Sequence, residues 1–187
     1  MTHDNDTVAG NDVPALNAAI NATQEALLLT EAVRQIDQAL FWARQGRPDL
    51  SIVFTNMAKL MLLEGNGKES ERDFWVLTTR STIGIELNRP VQAVECATKA
   101  LALGEVIFAQ DPLKLAVARG NLGRALALLG RPEEARKQLS QGIFGLTGAS
   151  HTPPASATPR EQQYYREAFI EFARALQSLP PRPPRTS

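Results

Sequence analysis

Side chains that could carry out catalysis are few in this sequence. The two histidines, His3 and His151, lie in polar segments outside any helical pattern that could position a general base. Cys96 is the one cysteine, and it lies among alanines with no histidine placed to activate it. We therefore interpret Cys96 as a small buried hydrophobic residue, and the sequence predicts neither an enzyme nor a cofactor.

Two further segments have the composition of ligand sites without the spacing. Residues 65–68, Gly-Asn-Gly-Lys, are the nearest approach to a phosphate-binding loop, but the P-loop spacing is missing. We interpret them as a turn. Glu69, Glu71 and Asp73 have the acidic composition that is ordinary at the start of a helix. A single cysteine also excludes a cysteine-based metal cage, so no metal site is predicted.

Composition restricts the partners that this chain could bind. The sequence has 20 basic and 20 acidic residues, and its formal net charge is zero, whereas a nucleic-acid binder needs a basic field. No apolar run approaches the ~20 residues of a membrane span. The polar, acidic N-terminus lacks the pattern of a signal peptide. These features predict a cytoplasmic protein that binds neither nucleic acid nor a membrane.

One tripeptide recurs at an interval of 42 residues. It reads Gly-Arg-Pro at 46–48 and 130–132, and Asn-Arg-Pro at 88–90. Gly and Asn tolerate the left-handed conformation that ends a helix, and Pro suits the first turn of the next helix. Each tripeptide is therefore predicted to be the tight turn inside a helical hairpin.

The residues that flank the three turns repeat in the same register. Before the third turn, apolar residues recur every three or four positions, which is the period of an amphipathic helix. Small residues, which let two helices approach closely, occupy three equivalent places in each hairpin. They are Ala39, Ser81 and Gly123, then Ser51, Ala93 and Ala135, and finally Ala58, Ala100 and Gly142.

Residues 121–125 (Asn-Leu-Gly-Arg-Ala) and 129–135 (Leu-Gly-Arg-Pro-Glu-Glu-Ala) resemble a tetratricopeptide repeat. The match is fair in the second repeat and weaker in the first, where Ser51 and Thr55 replace small or apolar residues. The usual repeat has ~34 residues. The longer repeat resembles those of kinesin light chains and bacterial peptide-sensing regulators. The resemblance implies an all-α, alpha-alpha superhelix of three helical hairpins with flanking capping helices.

The predicted domain boundaries follow from this repeat pattern. One helical-repeat domain is expected over 14–179, between a disordered tail (1–13) and a Pro-rich tail (180–187). Residues 14–45 are compatible with one long helix or with a short cap followed by the first repeat helix. The remaining expected segments are the repeats at about 32–73, 74–115 and 116–149, and a capping helix at 160–179.

The same resemblance implies a concave face that is lined by the first helix of each hairpin. An arginine beside an asparagine on that face would suit a peptide carboxylate, since guanidinium groups bind carboxylates with two hydrogen bonds. The expected partner-binding residues are Ile36, Leu40, Trp75, Thr78, Thr82, Val117, Asn121, Arg124 and Arg166.

Three functions are compatible with such an array. The leading prediction is an adaptor or chaperone-like module that binds a peptide or a partner helix in the groove. The first alternative is a self-associating scaffold, a possible homodimer, in which the open N-terminal face stacks on a second copy and so hides apolar residues such as 26–29. The second alternative is the ligand-sensing component of a regulatory system.

Overall fold

The computed structural model of this chain describes residues 12–64, 69–148 and 159–181. Over these residues the chain is all-α, as predicted, and it contains no strand. The helices pack against one another in chain order. They are α1 (Asp12–Arg44), α2 (Pro48–Glu64), α3 (Glu69–Glu86), α4 (Pro90–Ile107), α5 (Pro112–Leu128), α6 (Pro132–Thr147) and α7 (Pro159–Gln177).

Several predictions concern residues outside this description. Residues 1–11 of the predicted N-terminal tail, the 65–68 turn and most of the Pro-rich tail lie there, as do His3 and His151. The last two residues of the predicted N-terminal tail, 12 and 13, belong to α1. The predicted capping helix corresponds to α7, which agrees within two residues at each end.

The three tripeptide turns adopt the predicted conformation. The backbone φ angle is 69° at Gly46, 52° at Asn88 and 77° at Gly130, all in the left-handed region. In each turn the following arginine donates its backbone N–H to a carbonyl five residues earlier, at 2.7 to 3.0 Å. The prolines are the first residues of α2, α4 and α6. Each turn therefore ends one helix with the hydrogen bonding of a Schellman motif and starts the next.

The small residues that repeat in register lie where the helices of each hairpin meet. All nine are buried. A Cβ atom added to Gly123 would lie 2.7 Å from Leu139 Cγ, and one added to Gly142 would lie 2.9 Å from the backbone nitrogen of Gly120. Since no side chain fits at such distances, the glycines allow α5 and α6 to approach closely.

The contacts between helices define three hairpins, α1/α2, α3/α4 and α5/α6, followed by α7. Each hairpin contacts the next through α2 and α3, α4 and α5, or α6 and α7. The first helices also contact one another, α1 with α3, α3 with α5 and α5 with α7. In the described part of the chain, α2 and α4 make no such contact, nor do α4 and α6. The first helices therefore lie closer together than the second helices, whereas the superhelical arrangement stays a prediction.

Apolar clusters join each hairpin to the next, and two of them contain the largest buried apolar side chains. The first, between α5, α6 and α7, is built on Val117, Leu139 and Phe172. The second, between α3, α4 and α5, is built on Phe74, whose ring lies edge-on to that of Phe108 with centroids 5.0 Å apart. Burial of such side chains is the main source of stability. No described helix has the length and apolar character that crossing a membrane requires.

The structure resolves the question of whether residues 14–45 form one helix or two. They belong to one continuous helix of 33 residues, about 50 Å long, which begins at Asp12. Its partner α2 has 17 residues and is only about 25 Å long. Residues 14–27 of α1 are all exposed, and we call this segment the arm.

Candidate functional site

Three of the nine residues that were expected to bind a partner are buried. Thr78, Val117 and Asn121 are each at most 4% exposed. Val117 packs in the cluster between α5 and α7, and the Asn121 side chain donates a hydrogen bond to Thr82 Oγ1 at 3.0 Å. These side chains contact the protein itself and offer almost no surface to a partner, because α7 covers α5 and α5 packs on α3.

The remaining expected residues offer a partner little exposed surface. Leu40 packs on the small cluster between α1 and α3, and Trp75 packs edge-on against Phe74 with ring centroids 5.2 Å apart. Ile36 is half-buried on α1, whereas Arg166 is exposed on α7. The structure thus places these residues on the first helices, but it does not bring them together into one open site.

Arg124 belongs to an ion-pair network that joins four helices. Its Nη1 donates to Glu171 Oε2 on α7 at 2.6 Å, and its Nη2 donates to Glu86 Oε1 on α3 at 3.2 Å. Arg44 on α1 lies 3.5 Å from Glu171 Oε1 and 3.9 Å from Glu86 Oε2. We call these four residues the arginine–glutamate network.

The network satisfies Arg124 before any partner arrives. Two arginines face two glutamates, so the formal charge of the network is zero, and the Arg124 side chain is only 14% exposed. A partner carboxylate would have to displace Glu86 or Glu171. Glu171 was not among the predicted residues, although two arginines on one face, Arg44 and Arg124, indicate that acidic partners are needed.

A cleft of about 490 Å³ lies beside this network. It is bounded by the end of α5, the turn into α6 and the end of α7. Most of its walls are apolar, and Arg124 is its charged group. The main lining residues are Ile85, Arg124, Ala127, Leu128 and Leu179.

A second open surface, on the outer face of α2, was not predicted. Val53, Met57 and Leu60 follow one another at helical spacing and are 51%, 39% and 60% exposed. We call them the outer stripe. Two further exposed apolar residues, Phe41 and Ile52, belong to the same hairpin. In the described part of the chain, eight of the 15 exposed large hydrophobic side chains belong to α1 and α2.

The repeat register shows that α4 lacks this apolar face. The positions of Val53 and Met57 are occupied in α4 by Glu95 and Lys99. That pair forms a 2.6 Å ion pair, and both of its side chains are 62% exposed. The outer stripe could therefore have been found from the sequence by comparing residues 42 positions apart and noting where a large apolar residue in α2 corresponds to a charged residue in α4.

Cys96 and the acidic residues do not form a reactive site. Cys96 is partly buried, and this burial raises the pKa of its thiol, so that the unreactive protonated form predominates at neutral pH. Over the residues that the structure covers, no three His, Cys, Asp or Glu side chains lie together as metal ligands would.

Among the described residues, the cleft beside Arg124 and the outer face of the first hairpin are therefore both open to a partner. The cleft is bordered by a charged group that is already paired, whereas the outer face of the first hairpin is apolar and uncovered. No protein-family model, no curated protein and no solved structure matches this chain.

Proposed function

We propose that this chain is a protein-binding module of tetratricopeptide-like architecture that binds a partner through the outer face of its first hairpin. The observation that carries the proposal is the outer stripe, Val53, Met57 and Leu60, at positions where the next repeat has Glu95, Lys99 and Ala102. Contiguous exposed apolar surface is typical of sites of protein association. The equivalent face of α4 carries a solvated ion pair instead.

The energy of burial supports this assignment. Full burial of an exposed Val, Leu or Met side chain contributes roughly 1.5–3 kcal/mol. The side chains of the outer stripe are 39% to 60% exposed, so each can gain about half of this amount. The outer stripe with Phe41 and Ile52 therefore offers several kcal/mol, which must offset the loss of translational and rotational freedom on association. The groove offers less, since Thr78, Val117 and Asn121 are already buried.

The tetratricopeptide-like part of the proposal is supported by three features. The turns share one geometry at an interval of 42 residues, the register positions are filled by buried small residues, and the first helices contact one another while the second helices do not. An array of hairpins that curves toward its first helices would have this pattern of contacts.

The test is affinity capture with the double variant Val53→Glu with Met57→Lys, which gives α2 the residue types found at the equivalent positions of α4. Since Glu95 and Lys99 occupy these positions in the next repeat, we expect the helical circular dichroism spectrum to be unchanged. Val91→Glu with Val106→Lys is the matched control, because both residues are exposed on α4. We expect the control to retain a partner that the α2 variant loses. Equal retention by both variants would refute the proposal.

The cleft favours a second candidate, the groove-binding adaptor that the sequence predicts. A partner side chain in the cleft would contact Leu128 and lie beside Arg124. Leu128→Glu places a charge at the mouth of the cleft without removing any member of the arginine–glutamate network. A partner lost from this variant and kept by the α2 variant would assign binding to the cleft.

A further inference from the structure

The first hairpin has two uncovered apolar surfaces, the arm of α1 and the outer stripe of α2. We propose that a second copy of this chain covers both, the arm of each copy packing on the outer stripe of the other. The inference rests on the proposed function, because it names the partner of the same surface. A symmetric pair covers both surfaces, because the same contact between an arm and an outer stripe forms twice.

The arm has the side chains of a helix that packs on another helix. Leu16, Ile20 and Leu27 lie along one side, and each is more than half exposed. A row of alanines runs directly beside them, at positions 15, 19, 22 and 26, where small side chains allow a second helix to approach closely. An amphipathic helix of this kind ordinarily buries its apolar side against a partner.

The arm cannot cover the outer stripe of its own chain. It is the continuation of α1, with no break in the helix, and it extends past the end of the shorter α2. Its 14 residues span about 21 Å, against about 11 Å for the outer stripe and about 25 Å for the whole of α2, so the arm of another copy is long enough to cover the stripe.

Reciprocal packing gives an interface at the small end of the range for specific association. A strip about 21 Å long and about 11 Å wide covers roughly 230 Å², and a symmetric pair has four such strips, or roughly 900 Å² in total. Interfaces below about 1,200 Å² are typical of weak, reversible association, so we expect a dimer that depends on protein concentration. An unrelated helix on one outer stripe would bury about half as much and would leave the arm exposed.

The charged residue of the arm does not oppose packing on an outer stripe. Glu25 is the single charged residue within 14–30, and helical geometry places it on the side of the arm opposite Leu16 and Ile20. Packing an arm on an outer stripe therefore brings no carboxylate of the arm into the interface, whereas packing two arms together would leave both stripes uncovered.

The first experiment measures the mass of the full-length chain by sedimentation equilibrium over a hundredfold range of concentration. We expect association from 20.4 kDa to twice that mass. We expect Val53→Glu with Met57→Lys, and separately Ile20→Glu with Leu27→Lys, to weaken the dimer at least about a hundredfold. The Val91→Glu with Val106→Lys control should dimerise like the wild type. Because residues 14–27 are exposed, the arm variant gives a result even if the α2 variant does not fold.

Mixing the two variants tests the reciprocal contact itself. The α2 variant still has an intact arm, and the arm variant still has an intact outer stripe, so a mixed dimer regains one of the two contacts. We expect native mass spectrometry of differently tagged variants to show a mixed dimer under conditions in which each variant alone is a monomer. Absence of the mixed dimer would overturn the proposed packing of each arm on the outer stripe of the other copy.

The outcomes separate this inference from the function on which it rests. A wild-type chain that stays monomeric, or variants that dimerise like the wild type, overturn the second copy as the occupant. In that case, a foreign partner lost from the α2 variant still supports the proposed function. A dimer that depends on both surfaces supports the inference, whether or not a foreign partner is captured.

Discussion

At the scale of the residue, Arg124 shows how far chemistry can be predicted without the fold. An arginine beside an asparagine was expected to bind a carboxylate, and Arg124 does bind carboxylates, but they are those of Glu86 and Glu171. The sequence indicates what a guanidinium group prefers. It does not indicate which carboxylates lie within reach, since these come from α3 and α7, at a distance along the chain.

Removal of Arg124 should destabilise the fold. In Arg124→Gln, two partly buried carboxylates keep only the longer contacts to Arg44, and we expect a loss of about 1–3 kcal/mol in the free energy of unfolding. Urea unfolding followed by circular dichroism measures the loss. Arg131→Gln is the matched control, because Arg131 has a 2.6 Å pair with Glu134 that is largely exposed. The control should lose about 0–1 kcal/mol, and equal losses would contradict this account.

Gly120 is a position where a single methyl group should be harmful. In an exposed helix, Gly→Ala stabilises by about 1 kcal/mol. At Gly120 the new Cβ would lie 1.9 Å from a ring carbon of Phe172, which is fully buried. We expect Gly120→Ala to destabilise by about 1–3 kcal/mol in urea unfolding. Adding Phe172→Leu should restore part of the loss, so that the double variant loses less than the sum of the single variants.

At the scale of the element, the turns could be predicted because they depend on local sequence. Left-handed backbone at the first residue and Pro at the third suffice to stop one helix and begin the next. The course of α1 could not be predicted in the same way. Residues 14–45 contain no internal breaker, and a helical pattern alone does not distinguish a continuous helix from two helices in contact.

The second turn should be improved by glycine. Asn88 has a φ angle of 52°, which Asn tolerates and Gly prefers, and the equivalent positions hold Gly46 and Gly130. We expect Asn88→Gly to raise the free energy of unfolding by about 0.5–1 kcal/mol, and Asn88→Val to lower it by about 1–2 kcal/mol. Urea unfolding compares both with Gly46→Asn, which should lose about what Asn88→Gly gains. A gain from Asn88→Val would exclude this backbone argument.

At the scale of the whole molecule, the sequence predicted the all-α class, the three hairpins and the terminal helix. Each depends on periodicity, turn residues and small residues within a few positions of one another. The exposure of particular faces could not be predicted. Thr78 and Val117 are buried because neighbouring helices cover them, and the outer stripe is open because none does. Whether a helix face is exposed depends on which elements pack against it as well as on the sequence of the helix itself.

Hydrogen exchange should reveal a gradient of protection along the chain. We expect backbone amides of the arm to exchange fastest at high dilution, because residues 14–27 are exposed, and those of α5 to exchange slowest, because most of its residues are buried. Mass spectrometry after deuterium labelling measures this order. If the arm packs on the outer stripe of a second copy, as proposed, its protection should rise with protein concentration, whereas the protection of α5 should stay constant. Slow exchange of the arm at high dilution would contradict both statements.

The contact between Arg44 and Glu171 also has a consequence for the kinetics of folding. All other helix contacts among the described residues join neighbours or next neighbours in the chain, and such local contacts favour rapid folding. Because the pair between α1 and α7 can close only after every hairpin is in place, we expect it to form after the rate-limiting step. Arg44→Gln should therefore leave the refolding rate unchanged and speed unfolding about two- to fivefold in stopped-flow measurements. The contact between the first and the last helix then determines how long the native state persists, and not how quickly it forms.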